Sequence, residues 1–166
     1  MNTALEQLAR ELRLADRAVL SLAFGHACVL RVRHLLEDAD VLRCLDALGD
    51  VVAGRADEAR LAAVRAEAAR LANHHPGSKS IDGCGHAAVS ASYAVAKALE
   101  GKALQAASYA AYATVYAQGG AAAVAERESF EPEFSWQCDC LRALAAQPPT
   151  PPMPTASSSV AISSST

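Results

Sequence analysis

The sequence predicts an all-α fold, a single bundle of about six helices, and three observations support this. Alanine, the residue with the highest helix propensity, accounts for 39 of the 166 residues. Apolar residues recur with the helical period, as at Leu5, Leu8 and Leu12. No segment has the pattern of a convincing strand. Short connections between the predicted helices favour antiparallel neighbours in a bundle.

Capping residues and breakers set the expected boundaries in the first half. Asp16 is a candidate N-cap for a helix that ends near residue 37, and Asp38 or Asp40 begins the next one. Gly54 stands where a C-terminal glycine cap is expected, and Asp57 caps a helix that runs to about residue 73. An earlier helix over residues 2–14 is expected either to stand alone or to continue into the helix after Asp16.

In the second half, residues 74–79 combine Pro76 and Gly77 and predict a loop. Helices are expected over about 80–99 and 103–118, separated by a turn at 100–102. Gly119 and Gly120 should end or kink the second of these helices. Pro132 suits the first turn of a last helix to about residue 145, because its missing N–H costs little there.

The chain divides into a helical bundle domain over residues 1–147 and a tail over 148–166. The tail consists mostly of Pro, Ser and Thr, so it lacks the apolar mass to form a core and is expected to be disordered. Trp136 is the only tryptophan, and we expect it to be buried beside Phe130, Phe134 and Leu141 and to anchor the last helix.

The composition limits the classes of partner that the chain can be expected to bind. The formal charge of −3 and the pI near 5.9 argue against nucleic acid, which requires a concentrated basic surface. No secretion signal and no uncharged membrane-spanning stretch are visible, so we expect a cytoplasmic protein without a membrane partner. Five cysteines, an odd number, are then expected to be reduced and mostly buried.

Histidine and cysteine occur in close pairs whose spacing does not suit a structural zinc site, and no cofactor is expected. The pairs are His26 with Cys28, His74 with His75, Cys84 with His86, and Cys138 with Cys140. Nothing supplies an oxyanion loop or a strained elbow, so no catalytic residue is expected and His86 is expected to be buried. A metal or enzymatic centre at His86 and Cys84 stays as an alternative, as does an adaptor module tethered by the tail.

Tyrosines form a candidate pocket. Tyr109, Tyr112 and Tyr116 follow the i, i+3, i+7 spacing of one helix face, and Tyr93 lies on the preceding helix. Buried tyrosine supplies apolar area and a hydroxyl that needs a partner. The stripe is typical of a core or boundary, but it also fits an interface or a small pocket in which tyrosine hydroxyls meet His86.

Acidic residues concentrate in two clusters near helix ends, where a partner can reach them. Asp46 and Asp50 represent the first cluster, and Glu131 and Glu133 represent the second. Such clusters are usually solvated surface, but they also suit a docking face for a basic partner. We therefore take these four carboxylates as candidate partner-binding residues.

Three segments of the sequence carry a family resemblance. The first is the helix over 43–48 with the small turn over 52–56. The second is the Gly-His-Ala-Ala segment over 85–91 with the Ala/Tyr helix over 106–110. The third is Ser-Trp-Gln over 135–137. In this order the segments resemble the alanine-rich, all-helical immunity proteins of bacterial polymorphic toxin systems.

The resemblance covers roughly residues 16–144. It implies a cytoplasmic protein that binds a cognate toxin and blocks it by protein–protein contact. A second histidine that relatives tend to carry is replaced near Tyr93, so the resemblance implies no paired-histidine site. The family likeness does not indicate the toxin's activity.

Overall fold

A computed structural model describes residues 2–77 and 85–147, and within these ranges the chain is helical, with no strand. The all-α bundle is confirmed, with seven α-helices where the sequence predicted about six. The predicted tail over 148–166 lies outside the described residues. The helices are α1 Thr3–Glu11, α2 Ala18–Arg31, α3 Ala39–Val52, α4 Glu58–Asn73, α5 Gly85–Leu99, α6 Ala103–Ala125 and α7 Glu131–Ala146. Short 3-10 turns occupy Leu14–Asp16, Arg33–Leu35 and Arg127–Phe130.

Several helix ends form as the sequence predicted. The carboxylate of Asp38 accepts from the N–H of Asp40, and that of Asp57 accepts from the N–H of Arg60 at 2.9 Å. Gly54 has a φ of 71° just after α3. Pro132 lies in the first turn of α7. Local hydrogen bonding and backbone preference therefore decide these boundaries.

The predicted cap at Asp16 is wrong. The chain leaves α1 through Arg13, whose backbone is left-handed, and passes through a 3-10 turn before α2 begins at Ala18. Asp16 lies in that turn and pairs with Arg13 at 2.8 Å. The helix predicted after Asp16 also ends earlier than expected, at Arg31, where the chain tightens into the next 3-10 turn.

Helix α5 lies at the centre of the bundle and packs against α2, α3, α4 and α6. Its alanines Ala87, Ala91, Ala94 and Ala98 are fully buried. Small side chains let neighbouring backbones approach closely. At Gly25 of α2, a methyl group would lie only 3.1 Å from Cβ of Ala98. The alanine-rich composition therefore corresponds to close helix packing around α5.

Helix α6 bends at Gly120, where the sequence predicted an end or a kink. The backbone there has a φ of 62° and a ψ of −153°, a combination essentially restricted to glycine. Helical structure resumes beyond the kink and continues to Ala125. The kink redirects the chain into the 3-10 turn Arg127–Phe130, which packs back on α6.

Helix α7 closes the bundle against α1, α2 and α6, and Leu141 is its fully buried contact. The side chain of Gln137 donates to the carbonyl of Ala107 at 2.8 Å, and Asn2 donates to the carbonyl of Phe134 at 3.0 Å. Trp136 is only half-buried. The guanidinium carbon of Arg31 lies over its ring, 4.1 Å from the ring centroid. The prediction that Trp136 is buried is therefore met only in part.

Within the described ranges, no helix is both long enough and apolar enough to cross a membrane.

Candidate functional site

Aromatic rings form a connected row along α6 and the turn that follows it. The rings of His86 and Tyr116 lie 5.3 Å apart, and those of Tyr112 and Tyr116 lie 6.4 Å apart. Tyr112 meets the edge of Phe130 at 5.1 Å, and Phe130 meets Phe134 at 5.4 Å. We call these five residues the aromatic face. It joins α5, α6 and α7 through side chains that are far apart in sequence.

The aromatic face is partly open to solvent. Tyr112 is 39% exposed, whereas Phe130 beneath it is 7% exposed. His86 is exposed, so the expectation of a buried His86 is wrong; it lies in the first described turn of α5, before the helix enters the core. In the aromatic face, Phe130 is therefore buried, whereas Tyr112 and His86 are accessible to a partner.

The other two predicted pocket residues form a separate pair. Tyr93 and Tyr109 stack with ring centroids 5.2 Å apart, and the Tyr93 hydroxyl donates to the side-chain oxygen of Asn73 at 3.1 Å. The four residues predicted to form one pocket therefore belong to two groups of rings: Tyr93 stacks on Tyr109, whereas His86 and Tyr112 are linked through Tyr116. The helical spacing places Tyr109 and Tyr112 on the same side of α6.

Three carboxylates follow the kink and flank Phe130 in sequence. Glu126, Glu128 and Glu131 are all exposed, and we call them the acidic segment. The only ion pair of this segment among the described residues joins Glu131 to Arg127 at 3.8 Å. Glu131 therefore occupies the accessible position that the sequence predicted for it, beside the aromatic face.

Glu133 does not belong to this surface, and its prediction as an exposed docking residue is wrong. Its side chain is 3% exposed, and both of its carboxylate oxygens accept from Arg31, with Nη2 to Oε2 at 2.8 Å. Arg31 is in turn stacked on Trp136. The pair joins α2 to α7 over 102 residues of sequence, so Glu133 is a structural residue.

The first acidic cluster is exposed but largely paired. The side chain of Asp50 is 50% exposed and accepts two hydrogen bonds from Arg55, at 2.7 and 3.0 Å. The side chain of Asp46 is 68% exposed and lies 3.8 Å from Arg33. Opposite charges beside these carboxylates reduce the field that a partner would meet.

The described cysteines are free thiols, and three of them, Cys28, Cys44 and Cys138, are buried. Burial raises the pKa of the Cys28 thiol well above its usual range, so it stays protonated and unreactive. His26 points instead to α3, with Nε2 beside Gly49, and burial lowers its pKa. His26 and Cys28 therefore have different neighbours, although they are only two residues apart.

Among residues 2–77 and 85–147, no three His, Cys, Asp or Glu side chains converge as a metal site would require. Cys84, the suggested companion of His86, lies outside these ranges. Phe130 and Phe134, which the sequence assigned only to the surroundings of Trp136, contribute to the aromatic face. Their proximity to the glutamates was visible in the sequence, but the contact of Phe130 with Tyr112 depends on the kink at Gly120.

Comparisons with known proteins found no matching family model, curated protein or solved structure.

Proposed function

We propose that this chain is a binding protein that neutralises a cognate bacterial toxin in the cytoplasm through protein–protein contact. The observation that supports the proposal best is the aromatic face lying beside the acidic segment. The resemblance of the sequence to alanine-rich immunity proteins gives the class of partner. The geometry gives a surface on which such a partner can dock.

The aromatic face has the properties of an interface centre. Tyrosine contributes large contact area with few rotatable bonds, and it is enriched among residues that dominate binding energy. The Tyr112 ring is held by Phe130 on one side and Tyr116 on the other. Because neighbouring rings fix it before the partner arrives, little conformational entropy is lost on binding.

The acidic segment specifies the charge of the partner. Among the described residues, neither Glu126 nor Glu128 forms an ion pair. Exposed carboxylates without a cation attract a basic surface, which speeds association and disfavours acidic competitors. Tyrosine faces also attract guanidinium and ammonium groups. The partner proposed here therefore presents arginine or lysine to Tyr112 and to the glutamates.

The toxin would be neutralised because the bound chain covers part of its surface. A helical bundle provides a rigid surface, and a partner whose basic residues are covered by that surface cannot use them elsewhere. The α3 cluster of Asp46 and Asp50 is the weaker candidate because arginines already compensate it. The carboxylates of the α3 cluster are paired with arginines, whereas most of those in the acidic segment are not, so the α3 cluster serves as an internal control in the experiment.

The test is co-expression in bacteria with the product of each gene adjacent to the one that encodes this chain, choosing a product that is toxic when expressed alone. We expect the chain to restore growth and to form a stable complex that survives size-exclusion chromatography. Tyr112→Ala should weaken the complex at least tenfold, the loss typical of a residue that dominates an interface. Leu30→Ala is the matched control, because Leu30 is a 47% exposed apolar residue on α2.

Charge reversal distinguishes the two acidic surfaces. Glu126→Lys with Glu131→Lys should slow association and reduce its salt dependence, whereas Asp46→Lys with Asp50→Lys should have a much smaller effect. Failure of the wild-type chain to bind or protect would refute the proposed function. Protection that is lost only with the α3 reversals would keep the function and refute this site.

A further inference from the structure

A long groove lies on a different surface from the aromatic face. It runs between α1 with its 3-10 turn on one side and the beginning of α6 on the other, and its volume is about 620 Å³. Its walls are mainly apolar, with Ala9, Leu14, Ala103 and Leu104 among them. A volume of this size is typical of sites for small molecules, which are about 300–1,000 Å³.

A second cavity of about 250 Å³ continues along the same helices. The two share Glu6, Leu104 and Gln105, and the second is also lined by Leu5 and Phe134. Leu104 is 36% exposed, so an apolar side chain faces the groove from α6 without a protein partner covering it. The combined shape is elongated, which suits a chain-like ligand better than a compact one.

One end of the groove is positively charged. Arg10 lines it and forms no ion pair among the described residues, and Lys102 lines it directly before α6. No side chain caps the first turn of α6, so the N–H groups of that turn are free to meet an anion. Lys102 lies 2.7 Å from Glu100, but its side chain is still 54% exposed.

The backbone at this end is held in an unusual conformation. Arg13 has a φ of 51° and is the one non-glycine residue with positive φ in the described ranges. Such positions cost energy and concentrate at functional sites. Across the groove, the Ser21 hydroxyl donates to the carbonyl of Gly101 at 2.8 Å, which fixes the turn before α6.

We propose that this groove binds an anionic amphiphile, a single hydrocarbon chain that ends in a carboxylate. The carboxylate lies at Arg10, Lys102 and the first turn of α6, and the chain extends past Leu104 toward Phe134. Of the acidic groups in the lining, Asp16 is paired with Arg13, whereas Glu6 flanks the path of the ligand. This binding role is independent of the proposed toxin partner, and it uses none of the same side chains except Phe134 at the far end.

The test uses decanoate as the probe and the full chain, followed by two-dimensional NMR and calorimetry. Amide shifts should be concentrated in residues 10–16 and 101–108, and binding should be saturable. Decanol, which keeps the chain and lacks the charge, should bind at least tenfold more weakly. Octanoate should bind more weakly than decanoate by about tenfold or more, since two buried methylenes are lost.

Substitutions in the groove test where the ligand binds and distinguish the contribution of charge from that of the shape of the groove. Arg10→Gln with Lys102→Gln should raise the Kd about tenfold, while Glu6→Gln should lower it by removing a like charge. Leu104→Trp should fill the groove and abolish binding, with Leu30→Trp as the matched control on α2. Equal binding of decanol and decanoate, or equal effects of the two tryptophan variants, would overturn the proposal, as would the absence of saturable shifts.

Discussion

The Arg31–Glu133 pair provides a sharp test of how α2 and α7 are held together. Glu133 is 3% exposed, whereas the side chain of Arg31 is 40% exposed. Water can therefore reach Arg31 when Glu133 is removed, but it can hardly reach Glu133 when Arg31 is removed. We expect Arg31→Met to destabilise the protein much more than Glu133→Met.

The magnitudes follow from burial. Removing Arg31 leaves a buried carboxylate without its cation, which costs about 3–5 kcal/mol when both partners are fully buried. Solvent access on the arginine side reduces this to about 2–4 kcal/mol, and loss of the contact with Trp136 adds about 0.5–1 kcal/mol. Removing Glu133 leaves an arginine that water can still reach, so about 1 kcal/mol is expected. The double variant should lie within about 1 kcal/mol of wild type, because it removes both charges.

Urea unfolding followed by far-UV circular dichroism measures these differences. Arg31→Met should have the lowest urea midpoint of the three variants, because only that variant leaves a buried charge without its partner. Equal costs for the two single variants would refute this reasoning.

Three further predictions concern the core. Burial lowers the pKa of His26, so the folded state resists protonation of its imidazole. The free energy of unfolding should therefore fall as the pH drops below about 6.5. His26→Gln should make the free energy of unfolding, measured in urea, less dependent on pH in this range. Gly25→Ala should cost about 1–3 kcal/mol by overpacking against Ala98, and Ala98→Gly in the same chain should recover part of that loss in thermal unfolding; no recovery would contradict the contact. Cys28 is fully buried with a raised thiol pKa, so mass spectrometry should show its alkylation only after unfolding; rapid labelling of native protein would contradict its burial.

The helices were predictable because their signals are local. Asp38 and Asp57 cap the helices that follow them, and Pro132 lies in the first turn of α7, as their positions in the sequence indicated. The exception at Asp16 has a physical cause. Arg13 adopts a left-handed conformation that its residue type does not favour, so the separation of α1 from α2 depends on tertiary contacts.

The candidate site was predictable only in part. Glu131 and Glu133 are neighbours in the sequence, yet one is 61% exposed and the other is buried by an arginine from α2. His86 lies on the outer face of α5 with Ser90, Tyr93 and Lys97, none of which is buried. Their i, i+4, i+7, i+11 spacing was the signal in the sequence that could have placed His86 at the surface. The contact of Tyr112 with Phe130 depends on the bend at Gly120, which the sequence indicated only as an end or a kink.

The most direct test of the central claim is hydrogen exchange of this chain, free and in complex with the adjacent gene product whose toxicity it neutralises on co-expression. The proposed interface predicts slower amide exchange in residues 109–116 and 126–134 on binding, with α3 unchanged. Protection confined to residues 39–52, or protection absent from the segment around Tyr112 and Phe130 in a stable complex, would contradict the assignment of the aromatic face as the partner-binding surface.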